Sequence, residues 1–183
     1  MLLSDVIESR RSIRKYKSII LDEESLMKGI LAGIKAPSAH NRQPWKFKIL
    51  SASEKSSIAD LLENKTRNIP GHTGPHTAGI IRNVPHLIMV FIDNEVAENR
   101  DMDIISIGAC VENMILAYTD MGFGTIWIGN TNLINNEIKE ILNVPYETVS
   151  CVGVGLPDQF PKARPRKDIR DVMVWKILYR LLI

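Results

Sequence analysis

The sequence predicts one α+β domain over residues 1–183, ending in an extended C-terminal arm over about 157–183. Three observations lead there. A chain of 183 residues with 45% hydrophobic content has the size and apolar mass of one core. Apolar runs with helical spacing are interspersed with short strand-like runs. After residue 156, Pro157, Pro161 and Pro165 stand among basic residues and leave little from which to build a second compact unit.

The elements follow in order. Residues 3–10 read as a short helix, and Asp22 caps a second one carried by Leu26, Ile30, Leu31 and Ile34 up to Pro37. Lys46 to Leu50 alternates like a half-buried strand, Ser53 opens another helix, and the apolar run from His86 to Asp93 suits a fully buried strand. Residues 101–121 form the most decisive helix. Ile104, Ile107, Val111, Ile115 and Tyr118 make one stripe, while Ile105, Ala109, Met114, Leu116 and Ala117 cover other sides. Such a helix needs cover beyond its own sheet, and in so short a chain a subunit interface is the simplest source. The Gly122-Phe123-Gly124 turn leads into a strand at 125–128, Asn135 caps a helix to Leu142, and residues 148–156 are the last central strand. The tail from Val172 to Ile183 suits either a strand or a short helix.

Composition narrows the function. With 23 Lys and Arg against 21 Asp and Glu, the net charge of +2 gives no general attraction to nucleic acid. The N-terminus carries an acid where a leader would be basic, and no stretch approaches the roughly 20 apolar residues that cross a bilayer, so a cytoplasmic protein without a membrane segment is expected. Cys110 and Cys151 lack the spacing of a metal site and read as buried, reduced thiols. His72 and His76 have ligand-like spacing, but Gly71, Gly74 and Pro75 oppose a helix presenting both, so no metal is expected.

Four segments could carry chemistry. Arg10-Arg11-Ser12-Ile13-Arg14-Lys15-Tyr16 puts four cations and a serine hydroxyl together, a set suited to phosphate; a solvated basic turn is the plainer alternative. Ala36 to Trp45 (APSAHNRQPW) joins a helix end to a strand, with Pro37 and Pro44 fixing the backbone and Ser38, Asn41 and Gln43 offering short polar groups. It could grip a polar heteroaromatic ring or serve as a rigid connector. In GFGTIWIG (122–129) the Gly-x-Gly follows a helix and precedes a strand, the reverse of a dinucleotide fingerprint, and Gly153-x-Gly155 has no helix after it. Lys162 to Lys167 (KARPRK) on the arm is a second anion site or a solvated tail.

Taken in this order, RRSIRKY, APSAHNRQPW, GFGTIWIG and the late KARPR resemble the nitroreductase family of flavoproteins over nearly the whole chain. The resemblance implies a nitroreductase-like α+β fold: a central, mainly antiparallel sheet flanked by helices, dimerising along the long helix, with C-terminal arms that wrap the partner subunit. It implies one FMN per interface site and NAD(P)H as electron donor. Arg10, Arg11, Ser12 and Arg14 would hold the FMN phosphate, ribityl chain and pyrimidine edge, with Arg164 and Arg166 adding cations. Pro37, Ser38, Ala39 and Asn41 would come from the other subunit. Trp127, Ile128 and Gly129 would pass along one face of the ring, the Gly129 amide toward N5. The implied activity is hydride transfer to small nitroaromatic, quinone or similar electron-poor acceptors by a ping-pong route, on the expectation of no second pocket beside the ring. Because the flavin does the chemistry, no catalytic side chain is required. Alternatives are a non-catalytic flavin-binding or sensing protein, a reductive dehalogenase, or a flavin-degrading relative. The segment Asn64 to Gly79, rich in glycine and proline, is the candidate lid.

Overall fold

The computed structural model describes residues 1–174. Helices α1 (Leu3–Ser9) and α2 (Glu23–Gly33) come first, followed by β1 (Trp45–Ile49), α3 (Ala52–Thr66), α4 (Gly74–Asn83) and β2 (His86–Ile92). The long helix α5 (Arg100–Asp120) leads to β3 (Gly124–Ile128), α6 (Asn135–Leu142), β4 (Glu147–Gly155) and the short α7 (Ile169–Val172). The sheet is wholly antiparallel, in the order β1-β2-β4-β3.

Why β2 reads as an unbroken apolar run is now visible. Its side chains alternate between two cores. Leu87, Met89 and Phe91 pack with Ile58, Leu62, Ile81 and Cys151 on one face. Ile88, Val90 and Ile92 pack with Leu26, Ile30, Ile107, Val111, Met114 and Tyr118 on the other. The second core depends on a close approach of α2 to α5. A Cβ on Gly29 would fall 2.1 Å from the Tyr118 ring, and one on Gly33 would fall 2.5 Å from Met114. The Tyr118 hydroxyl, fully buried, donates to the Leu26 carbonyl at 2.6 Å.

Several sequence expectations need correction. Ser51, not Ser53, caps α3: its hydroxyl accepts from Glu54 N–H while the Glu54 carboxylate accepts from Ser51 N–H, a reciprocal capping box. Asn135 does not cap α6; its side-chain oxygen accepts from Thr148 N–H at 2.7 Å and ties the helix to β4. The candidate lid is mostly helix, because α3 runs to Thr66 and α4 starts at Gly74, leaving residues 67–73 between them. Gly74 and Pro75 open α4, and His72 accepts from Gly74 N–H outside it, so that no helix presents His72 and His76 together, as expected. Helix α5, with 21 residues and a mean hydropathy of 1.2, does reach the length and apolarity of a membrane-crossing helix. Its apolarity is that of a core helix, with Ile107, Cys110, Val111, Met114, Ile115 and Tyr118 buried. Of the apolar tail expected at 172–183, residues 175–183 lie outside the described residues.

Candidate anion and cofactor site

The site is assembled by the way the N-terminal segment closes onto the sheet. Ser12 pairs in parallel with Thr125 at the start of β3, and Ile13 N–H donates to the Thr125 carbonyl at 2.8 Å. A few residues on, Tyr16 pairs with Pro157, Lys17 N–H donates to Leu156 and Asp158 N–H donates to Lys15. The two Gly-x-Gly sequences have their explanation here. A Cβ on Gly124 would meet the Ile13 side chain at 2.8 Å, and one on Gly155 would meet Pro85 at 2.7 Å and Tyr16 at 3.0 Å. These glycines let another segment approach closely.

Both basic clusters therefore hang from the same end of the sheet. Arg10, Arg11, Ser12 and Arg14 lie just before the β3 contact, and the arm leaves directly after β4. Together with Lys162, Arg164 and Arg166 they line a cavity of about 620 Å³, closed on one side by Ile7, Glu8 and Glu112. The cations are only partly engaged. Arg10 Nε is 3.9 Å from the Glu112 carboxylate, too long for a hydrogen bond. Arg11 donates to the carbonyls of Glu8 at 2.6 Å and Arg10 at 2.8 Å, and so closes the end of α1 as well as adding charge to the cavity. Arg14 donates to the Ser12 carbonyl at 3.2 Å.

The remaining expected residues do not line this cavity. Pro37, Ser38, Ala39 and Asn41 sit beside the first half of α5, where Ala39 N–H donates to the Ser106 hydroxyl at 3.3 Å. In the 127–129 stretch Ile128 is buried, whereas Trp127 is 44% exposed and its indole lies 3.9 Å from where a Gly108 side chain would start. Gly129 has open space where a side chain would be. The candidate lid buttresses this turn, since Asn130, next after Gly129, donates its amide to Thr73 at 3.0 Å and Thr77 at 3.2 Å. A second cavity of about 370 Å³ adjoins the first and shares Arg11 and Pro161 with it. It is lined by Ser9, Phe123, Gly124 and Phe160 among others, and by none of residues 127–129.

The thiols are inert in this setting. Burial pushes Cys110 and Cys151 up to about 12, so neither offers a thiolate near neutrality. Among the described residues no group of three or more His, Cys, Asp or Glu could hold a metal ion.

The described residues form an antiparallel α+β frame with a guanidinium-lined cavity at one end of the sheet. The chain belongs to the nitroreductase family, whose profile matches residues 7–156. A Bacillus subtilis protein named as an NAD(P)H nitroreductase is 26% identical, covering 93% of this chain and 92% of its own. A Desulfovibrio desulfuricans nitroreductase solved in complex with FMN superposes with a TM-score of 0.83 at 25% identity, over 96% of this chain and 97% of that one. An iodotyrosine deiodinase of Thermotoga neapolitana is 23% identical, covering 92% of this chain and 95% of its own.

Proposed function

We propose that this chain is an FMN-dependent oxidoreductase that passes hydride from NAD(P)H to nitroaromatic, quinone or similar electron-poor acceptors. The carrying observation is the cavity where Arg10, Arg11, Arg14, Arg164 and Arg166 converge with Ser12. Guanidinium forks and a hydroxyl fit a phosphate monoester, and among the described residues no glycine-rich turn opens a helix beside them, which favours FMN over a pyrophosphate-bearing flavin. The FMN in the Desulfovibrio relative and the nicotinamide in the Bacillus relative's name support the same reading.

When bound, FMN supplies hydride acceptance and donation at N5. The protein's part is to hold and surround it. Arg10, Arg14, Arg164 and Arg166 neutralise the phosphate, with Ser12 donating a hydroxyl. Trp127, Ile128 and Gly129 flank the ring on one side, and open space at Gly129 leaves room for close approach. Pro37, Ser38, Ala39 and Asn41 reach the site from a second subunit, because in one chain they lie away from the cations. The whole of 1–183 then acts as one FMN-binding domain in a homodimer, with the arm from 157 lying against the partner. Two buried free thiols accord with a reducing, cytoplasmic setting.

Donor and acceptor use one face of the ring in turn, since the second cavity is not lined by 127–129. Purified protein is expected to show a flavin spectrum and to oxidise NADH or NADPH when an acceptor is added. Double-reciprocal plots at several acceptor concentrations are expected to be parallel; intersecting lines would replace the shared face by a ternary complex. Mixed dimers with Arg10→Ala in one subunit and Asn41→Ala in the other retain one intact site in this reading. Reductive dehalogenation is the second reading, favoured by the Thermotoga relative, and iodide release from an iodinated tyrosine distinguishes it.

A further inference from the structure

The loop from Ala36 to Trp45 is more strained and more firmly anchored than a connector needs to be. His40, Asn41 and Gln43 all have positive φ, at 50°, 56° and 51°. Side chains crowd the backbone there, and such conformations persist where the surroundings over-determine them. The surroundings in question are on α5. Arg42 Nε and Nη2 both lie 3.1 Å from Oδ1 of Asp103. The Asp103 side chain is fully buried and that of Arg42 is only 9% exposed. The other Asp103 oxygen accepts from the backbone N–H groups of Glu98 and Asn99, each at 3.1 Å. One carboxylate thus holds the loop with one oxygen and the start of α5 with the other. One turn along, the Ser106 hydroxyl accepts from Ala39 N–H at 3.3 Å and donates to the Met102 carbonyl at 2.8 Å. Ser38 closes the loop internally, its hydroxyl accepting from Gln43 N–H at 3.0 Å.

We infer that Arg42, Asp103 and Ser106 are positioning residues: they fix the strained loop to α5 so that Ser38 and Asn41 meet the flavin of a second subunit in one set geometry. The inference rests on the FMN-dependent dimer proposed above. Stability alone does not account for the pair, because apolar residues of similar volume commonly stabilise a core as well as a buried ion pair does. What a guanidinium fork on a carboxylate adds is orientation. The same stretch of α5 exposes Met102 (49%) and Ile105 (67%). A partner seated on those side chains would receive the loop in the same step, so that assembly and completion of the flavin site become one event.

The test uses Arg42→Lys, which keeps the charge and loses the fork, Ser106→Ala, which leaves no buried charge unpaired, and Asp103→Asn. Two readouts are independent of turnover: amide hydrogen exchange over residues 38–43 in flavin-free protein, and FMN affinity from fluorescence quenching. Circular dichroism and light scattering establish that each variant is folded and assembled. Loop exchange is expected to accelerate and the FMN dissociation constant to rise, each by about tenfold. In mixed dimers, Arg42→Lys and Arg10→Ala on opposite subunits should leave one site with wild-type affinity, whereas both on one chain opposite a wild-type chain should impair both sites. Unchanged exchange, unchanged FMN affinity in a variant whose loop has loosened, or two impaired sites in the opposite arrangement would each overturn the inference. Should Asp103→Asn fail to fold, the other two variants decide. A wild-type protein that takes up no FMN would remove the proposed function and this inference together; one that binds FMN while the variants are indifferent removes this inference alone.

Discussion

At the scale of single residues, cations gather along the cavity lining. Replacing Arg166 by Ala removes one charge-assisted contact from the cavity and is expected to weaken FMN by about ten- to a hundred-fold. Equilibrium titration of flavin-free protein measures this, and unchanged affinity would take the arm out of the site. His86 is a half-buried titratable group of another kind. Its Nε2 accepts from Leu21 N–H at 2.9 Å, which requires the neutral ring. Burial, helped by the neighbouring Lys55 ammonium, holds its pKa below the ordinary 6.5. A group lowered in this way stabilises the fold fully above 6.5, and the contribution fades as pH falls through the lowered value. The melting temperature of the wild type is therefore expected to fall faster below pH 6.5 than that of His86→Gln, which keeps an acceptor and cannot titrate. Parallel pH profiles would show that the Leu21 contact is not what the proton breaks.

At the scale of elements, periodicity was the most legible signal. The unbroken apolar run of β2 and the all-round apolar character of α5 could be read from spacing alone. What spacing could not supply is the identity of distant partners. Asn135 looked like a cap because asparagine before an apolar run is a cap signal, yet its partner is Thr148, 13 residues on. Arg42 drew no notice within a polar loop because its buried partner lies 61 residues away. The cation clusters were legible as anion-seeking, but their convergence depends on the start of β3 lying beside the end of β4, a property of the sheet. The close packing of α2 on α5 gives a direct test at this scale. Gly29→Ala forces a methyl group into the Tyr118 ring and is expected to destabilise the protein by about 1–3 kcal/mol. Chemical denaturation should show this loss, and a neutral result would mean that the helices can part at little expense.

At the scale of the molecule, large apolar side chains are left exposed on several helices. Ile105 is 67% exposed on α5 and Leu31 50% exposed on α2, with Leu3 and Ile7 on α1 exposed as well. A homodimer covering Ile105 and its neighbours is the expected state in dilute solution by light scattering. Ile105→Lys is expected to shift the population toward monomer and to lower FMN affinity with it, because the loop is then withdrawn. A stable wild-type monomer would leave the loop residues without a ligand to meet.

The N-terminal segment that pairs with residues 125 and 157 also has a consequence for the order of folding. Its contacts span more than a hundred residues of chain, so they close the longest loops in the described structure and carry the largest closure entropy. The antiparallel pairing of β1 with β2, joined through α3 and α4, and the helices can form before them. The basic cradle is therefore among the last parts to take shape during refolding. Flavin quenching should lag behind the far-ultraviolet helical signal after dilution from denaturant, and capture of the cofactor then marks a chain whose N-terminal segment has already joined the sheet.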